Sequence, residues 1–223
     1  MTVRAVVFDV GETLVDETRA WAVWADWLGV PRLTFFSMLG AVIARGRHHR
    51  EVFERFRPGI DLRVEANRLG IAGRSDLLSL DDLYPDVLPA LRRLTEAGYR
   101  LALAGNQPAP AAGILSAMDV PFEFVGTSAA WGVEKPSRAF FDRIVEELRL
   151  PPGDIAYVGD RVDNDVRPAA AAGLVAVFLR RGPWGWVLDD GVRPGEAALA
   201  IESLAELPAA LGTLDDGTGS RGR

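Results

Sequence analysis

A chain of 223 residues can bury a sizeable core, and 48% apolar with 25% charged residues is the balance of a soluble globular protein. The absence of cysteine excludes disulfides, thiolate metal sites and cysteine nucleophiles, and a formal charge of −6 argues against nucleic acid, whose affinity rests on lysine and arginine neutralising phosphates. The N-terminus enters an apolar strand pattern at once rather than a charged leader, and no apolar run approaches the roughly 18–20 residues that span a bilayer, so the expectation is a cytoplasmic protein with no membrane partner.

The first predicted strand, "AVVFD" (5–9), stops at Asp9, and Val10, Gly11, Glu12 and Thr13 follow. Residues 15–80 then read as helical: "RAWAVWADWLG", "RLTFFSMLGAVIARG", "REVFERF" and "VEANRLG". Val87, Leu88, Leu91 and Leu94 mark one face of a further helix that Gly98 ends. A second strand, "YRLALAG" (99–105), leads into Asn106, and a third is "FEFVGTS" (122–128). Lys135 lies in "GVEKPS", ahead of a helix with Phe140, Phe141, Ile144, Val145 and Leu148 on one face and Ser137 as its N-cap. The fourth strand, "DIAYVGD" (154–160), ends in Gly159 and Asp160. A small-residue helix, "AAAAG" (169–173), precedes the fifth strand, "LVAVFLR" (174–180). Polar, glycine-rich residues 211–223 are expected to be a disordered tail.

Near-continuous apolar strands separated by helices predict an α/β fold, a doubly wound, Rossmann-like parallel sheet covered on both faces. Residues 10–98 separate the first two strands, too many for one crossover. The reading is therefore a core domain of residues 1–14 and 81–210, with residues 15–80 as an α-helical cap over the ligand end of the sheet.

In such sheets ligands bind beyond the carboxyl ends of the strands, where strand order reverses. Taken singly, Asp9 is a turn or capping residue, Lys135 a solvated lysine, Asn106 a turn former, and "GDRVDND" an acidic loop. Together, two carboxylates and a lysine fall at strand ends on the same side of one sheet. Several acids alone would repel one another there; a hard divalent cation relieves this, and Mg²⁺ is the usual choice beside a phosphate.

Four motifs in order carry a resemblance over about residues 3 to 205. "VVFDVGETL" is similar to an apolar strand followed by Asp-x-Asp-x-Thr, "LALAGN" to a strand ending in Ser or Thr and then Asn, "GVEKPS" to the lysine motif, and "VGDRVDND" to Gly-Asp followed by a further Asp. In these the chain resembles the haloacid dehalogenase-like (HAD) hydrolase superfamily, in its branch with a helical cap after the first strand. The resemblance implies hydrolysis of a small phosphorylated metabolite by a monomer or homodimer. Asp9 would be the nucleophile that forms an aspartyl-phosphate, and Lys135 would anchor Asp9 and the phosphoryl oxygens. Asn106 would bind the phosphate with Lys135. Mg²⁺ would be held by Asp9, the Gly11 carbonyl, Asp160 and Asp165.

Two positions depart from the pattern. Gly11 stands where the resemblance implies an acid that protonates the leaving oxygen and then activates water. Loss of such help costs about 10²–10⁴ in rate, so turnover is expected to be slow and to favour good leaving groups. Glu12 and Asp16 are the nearby substitutes. Gly105 removes a phosphate-binding hydroxyl. Two other readings stay open: a catalytically weak or inactive binding or regulatory protein of this fold, and a metal-independent 2-haloacid dehalogenase. Trp21, Trp24 and Trp27 read as a packing stripe. The Arg45, Arg47, His48, His49 and Arg50 cluster reads as a solvated face, with anion recognition as its alternative.

Overall fold

Among the described residues six strands form one sheet and all run parallel; the four inner strands are nearly buried along their length, as their continuous apolar runs require, while the two edge strands are partly exposed. In the computed structural model, which describes residues 2–70, 77–188 and 196–216 (side chains to 214), they are β1 (Ala5–Phe8), β2 (Arg100–Gly105), β3 (Phe122–Thr127), β4 (Ile155–Gly159), β5 (Val175–Leu179) and β6 (Leu199–Ile201). Their order is β3-β2-β1-β4-β5-β6. The chain winds outward from β1 to one edge, then returns to pair β4 with β1 on the other side. The switch point therefore falls at β1, the strand that ends in Asp9. Each of the five predicted strands is present, and β6 is a sixth that three residues could not announce by periodicity.

The helices, in chain order, are α1 (Thr18–Leu28), α2 (Arg32–Ala44), α3 (Glu51–Phe56), α4 (Leu62–Arg68), α5 (Val87–Glu96), α6 (Ala111–Leu115), α7 (Ser128–Trp131), α8 (Arg138–Leu148), α9 (Arg167–Ala171), α10 (Gly182–Val187) and α11 (Leu207–Asp216). Alternation along the strands sends Val6, Phe8, Leu101, Leu103, Ala156, Val158 and Val177 to one face, against α5 and α11. The other face carries Val7, Ala102, Ala104, Tyr157, Ala176 and Phe178 against α8 and α9. Gly98 follows α5 at φ 89°, a left-handed conformation that glycine adopts without a Cβ clash. Ser137 stands at the cap position of α8, but its side chain makes no capping bond; its carbonyl receives the Phe140 amide instead.

Helices α1–α4 gather their apolar side chains into a separate cluster of Ala25, Phe35, Leu39, Val42, Ile43, Val52 and Phe53. Burying a phenylalanine such as Phe35 contributes about 1.5–3 kcal/mol. Trp184 of α10 joins the same cluster, so the strand-β5 side of the sheet seals against the insert. The tryptophan stripe packs within the insert: Trp21 and Trp24 lie against Phe53, at ring-centroid distances of 6.3 and 5.1 Å, and Trp27 Nε1 donates to buried Glu65 at 2.8 Å. Arg45, Arg47, His48 and Arg50 are exposed, while His49 turns inward against Trp21 and Trp184.

One expectation is corrected. Residues 211–216, read as the start of a disordered tail, belong to α11, because Leu207 and Leu211 are buried against the sheet and anchor the helix. Residues 217–223 of that expected tail lie outside the described residues, as do 71–76 of the predicted insert. No single helix among the described residues is long and apolar enough to cross a membrane.

Candidate active site

Asp9 leaves the end of β1, where its amide donates to Val158 O of β4 at 2.9 Å. The chain then folds back on itself. The amides of Thr13, Leu14 and Val15 all point at Val10 O, and Glu12 N donates to Val15 O at 2.8 Å. Glu12 adopts φ 55°, a left-handed conformation that costs a side-chain-bearing residue and persists only where its surroundings hold it. Here the Tyr84 hydroxyl donates to its carboxylate at 2.7 Å, and Arg181 donates to Thr13 O at 3.0 Å while pairing with Asp86.

Lys135 converges on the same point from the loop before α8. Its Nζ lies 2.7 Å from Asp9 Oδ1 and 2.6 Å from Asp165 Oδ1, with the Tyr157 ring 5.6 Å beneath. Asp160, at the end of β4, completes a buried cluster in which one oxygen from each of Asp9, Asp160 and Asp165 lies within 4.8 Å of the others. Burial pulls the Lys135 ammonium down, but Asp165 and Asp9 outweigh it and hold its pKa well above the ordinary lysine value. Burial, then the charges of Asp165 and Asp9, push Asp160 well above the carboxylate range. Burial also raises Asp165, to about 6, against the opposing pull of Lys135.

Three carboxylates thus face one ammonium. Asp160 Oδ1 has a long contact from Thr13 Oγ1 at 3.4 Å, and its Oδ2 is buried with no partner among the described residues. An orphaned carboxylate oxygen in an all-oxygen, negatively charged cluster fits a hard divalent cation. Gly11, the fourth predicted ligand, lies on the same loop and could offer only its carbonyl.

Asn106 meets Lys135 by a different route from the one expected. Its Oδ1 accepts from Lys135 N at 2.8 Å and its Nδ2 donates to Lys135 O at 3.0 Å, so its side chain first braces the lysine loop. Gly105 and Gly159 are required by close approach. A β-carbon on Gly105 would sit 2.8 Å from Asp9 Oδ1, and one on Gly159 would collide with the Asp165 carboxyl at 2.5 Å.

Neither substitute expected for the missing acid faces the cluster freely. Glu12 is turned towards Tyr84, and Asp16 accepts from Thr18 N at 2.8 Å at the start of α1. The position is filled instead by Glu17, which sequence reasoning passed over. Its carboxyl carbon lies 2.9 Å from where a β-carbon on residue 11 would be. Burial, then the charges of Glu12 and Asp9, raise Glu17 to about 8, while the Trp21 indole opposes them. Glu12 is raised to about 7, chiefly by burial, with the Tyr84 hydroxyl and the Glu17 amide working against it. Glu17 occupies the cap position of α1 without capping it. An acid just ahead of a helix has an everyday local explanation, so nothing in the sequence marks it out.

On the insert side, Arg161 lies over the Trp184 ring at 5.3 Å, and His49 meets the same ring edge-on at 5.6 Å. This is where the helical insert and the site loop after β4 touch.

The family model for haloacid dehalogenase-like hydrolases matches residues 3–173. The glyceraldehyde 3-phosphate phosphatase of Methanopyrus kandleri is 38% identical over 135 residues, 55% of this chain and 58% of that protein. The chain thus spans little more than half the length of that relative. The phosphoglycolate phosphatase of Vibrio vulnificus CMCP6 is 26% identical over 220 residues, covering 92% of this chain and 94% of that protein. Among solved structures, the HAD phosphatase from Thermococcus onnurineus aligns over 94% of this chain and 98% of its own, at 25% identity and a TM-score of 0.56.

Proposed function

The chain belongs to the haloacid dehalogenase-like hydrolases, and on that premise we propose that it is a Mg²⁺-dependent phosphomonoester hydrolase acting on small phosphorylated metabolites. Residues 15–80 act as the cap that selects the substrate over a core of residues 1–14 and 81–210. The observation that carries the reading is the single ammonium of Lys135 bridging Asp9 and Asp165, with Asp160 left short of a partner beside them. Such a cluster is built to lose its repulsion only when positive charge arrives.

Asp9 is the nucleophile. Its carboxylate oxygen attacks phosphorus, the bond from phosphorus to the leaving oxygen breaks, and an aspartyl-phosphate forms. Water then attacks that phosphorus, the bond to Asp9 breaks, and phosphate leaves. Lys135 holds Asp9 Oδ1, keeps the carboxylate aligned, and faces the phosphoryl oxygens as charge moves onto them. Asn106 keeps Lys135 in place through the lysine's own backbone and has a second Nδ2 hydrogen for the phosphate. Asp9, Asp160, Asp165 and the Gly11 carbonyl would hold Mg²⁺, which when bound offsets the charge between an anionic nucleophile and an anionic substrate. The names of the relatives support a small phosphorylated substrate, and the negative net charge fits a small solute better than nucleic acid.

The test is a screen of sugar, nucleotide, short acid and acyl phosphates with and without Mg²⁺, with Asp9→Asn alongside. Mg²⁺-dependent release of phosphate that Asp9→Asn abolishes is expected. Activity that survives Asp9→Asn overturns the nucleophile. Metal-independent halide release from a 2-haloacid would make the chain a dehalogenase, and phosphate binding without turnover would make it a binding protein.

A further inference from the structure

The loop from Asp9 to Glu17 closes a gap that Gly11 opens. Because Gly11 lacks a side chain, the volume its β-carbon would take is available, and the Glu17 carboxyl group enters it. The carboxyl carbon is 2.9 Å and Oε2 3.5 Å from the position a β-carbon on residue 11 would take. A side chain at 11 and the present Glu17 conformer exclude one another. The two residues share one volume, and the chain has placed its carboxylate there from the other direction.

The other acids around Asp9 are committed. Asp160 and Asp165 belong to the cation cluster, Glu12 accepts from Tyr84 and from the Glu17 amide, and Asp16 turns the start of α1. Among the described residues Glu17 forms no ion pair, and although it stands at the cap position of α1 its side chain makes no cap. The Trp21 indole stands one turn further along the same helix and favours the ionised form of the Glu17 carboxyl. Lys135 holds Asp9 Oδ1, and Asp160 and Asp165 lie beside it. In-line attack by Asp9 puts the leaving oxygen on the far side of phosphorus, so the group that protonates it is one not already committed to holding Asp9 or the cation.

We propose that Glu17, delivered by the turn into the first helix of the insert, is the proton-transferring residue of this hydrolase and replaces the side chain absent at Gly11. The assignment rests on the phosphohydrolase reading above. In the first half-reaction the Glu17 carboxyl gives its proton to the leaving oxygen as the phosphorus–oxygen bond breaks and Asp9 becomes phosphorylated. In the second, the Glu17 carboxylate takes a proton from water as the water oxygen bonds to phosphorus and the bond to Asp9 breaks. One proton leaves and one returns, and the cycle closes with Glu17 and Asp9 as they began. Because Glu17 belongs to the root of the insert, movement of the insert would carry the proton carrier with it.

The experiment compares wild type, Glu17→Gln, Glu17→Ala and the double variant Gly11→Asp/Glu17→Ala on an alkyl phosphate and on p-nitrophenyl phosphate, with saturating Mg²⁺. Aspartyl-phosphate is followed by intact-protein mass spectrometry after acid quench. Glu17→Gln is expected to lose about 10²–10⁴ in kcat on the alkyl phosphate and much less in forming phosphoenzyme from p-nitrophenyl phosphate, where it should accumulate. The double variant, which returns an acid to position 11 and vacates its space, should recover activity relative to Glu17→Ala. Glu17→Gln as active as wild type on the alkyl phosphate overturns the assignment alone. So does an equal loss on both substrates with no phosphoenzyme, which marks a structural role. A wild type inert towards every phosphate overturns the hydrolase reading and this assignment with it.

Discussion

Asn106 grips Lys135 by both of its backbone groups, accepting from its amide at 2.8 Å and donating to its carbonyl at 3.0 Å. A residue at the end of β2 thereby sets the position of an ammonium that arrives from the loop after β3. Asn106→Ala removes both bonds without touching the acidic cluster. The expected result is a fall of about 10²-fold in kcat/KM, the scale of a misplacement near 1 Å, and a loss of about 1–3 kcal/mol in stability. Asn106→Asp keeps the acceptor and should retain part of both. Steady-state kinetics and thermal melts check this.

Asp160 carries the buried oxygen without a partner, and its carboxylate is opposed by Asp165 and Asp9. Asp160→Asn removes that repulsion, so the metal-free protein should gain about 1–3 kcal/mol of stability. Mg²⁺ is expected to raise the Tm of the wild type, and the same change should abolish that rise, because stabilisation by a ligand requires binding to the folded state. Melting curves in EDTA and in Mg²⁺ separate the two effects. A variant that melts lower in EDTA and still responds to Mg²⁺ would contradict the metal assignment.

Restoring the hydroxyl implied at position 105 should harm rather than help. A β-carbon there would meet Asp9 Oδ1 at 2.8 Å and Val10 Cγ2 at 3.3 Å, and Lys135 already holds that same Oδ1. Gly105→Ser is therefore expected to displace the Asp9 carboxylate and, if Asp9 is the nucleophile proposed above, to lower kcat by about 10-fold or more. Kinetics on the best substrate from the phosphate screen decide it.

His49 connects the insert to the rest of the molecule through Trp21 and Trp184. Burial, then the positive neighbours His48, Arg161 and Arg50, depress its pKa from 6.5 to about 3, with Asp163 opposing. Between these values the unfolded chain binds a proton that the folded chain refuses. The stability this histidine contributes is therefore complete above about pH 6.5 and is lost as pH falls towards 3. His49→Phe should flatten the acid limb of a Tm-against-pH curve without moving the curve above pH 7 as strongly. Equal displacement at all pH values would show that packing alone accounts for the residue.

The sheet, the strand ends and the order of the motifs were legible in the sequence because each is a local pattern. Apolar runs of strand length, helical spacing between them and a polar residue at each strand end follow from backbone geometry and burial, which act over a few residues at a time. Asp9, Lys135, Asp160 and Asp165 could be placed on one edge for the same reason: in a parallel sheet every strand ends on the same side. Strand β6, with only Leu199–Ile201, and the helical start of the expected tail depended on packing partners far along the chain.

What the tertiary structure alone decided is how side chains share space. Asn106 is turned onto a backbone 29 residues away, and Trp184 is drawn into a cluster built by the insert. Glu17 enters the volume that Gly11 leaves open because a left-handed Glu12 and the amides on Val10 O reverse the chain at that point. A glycine in a motif reads as a missing group in one dimension. Only the folded path of the loop determines which other residue reaches the vacant volume, because exclusion of one atom by another acts between residues that sequence distance does not relate.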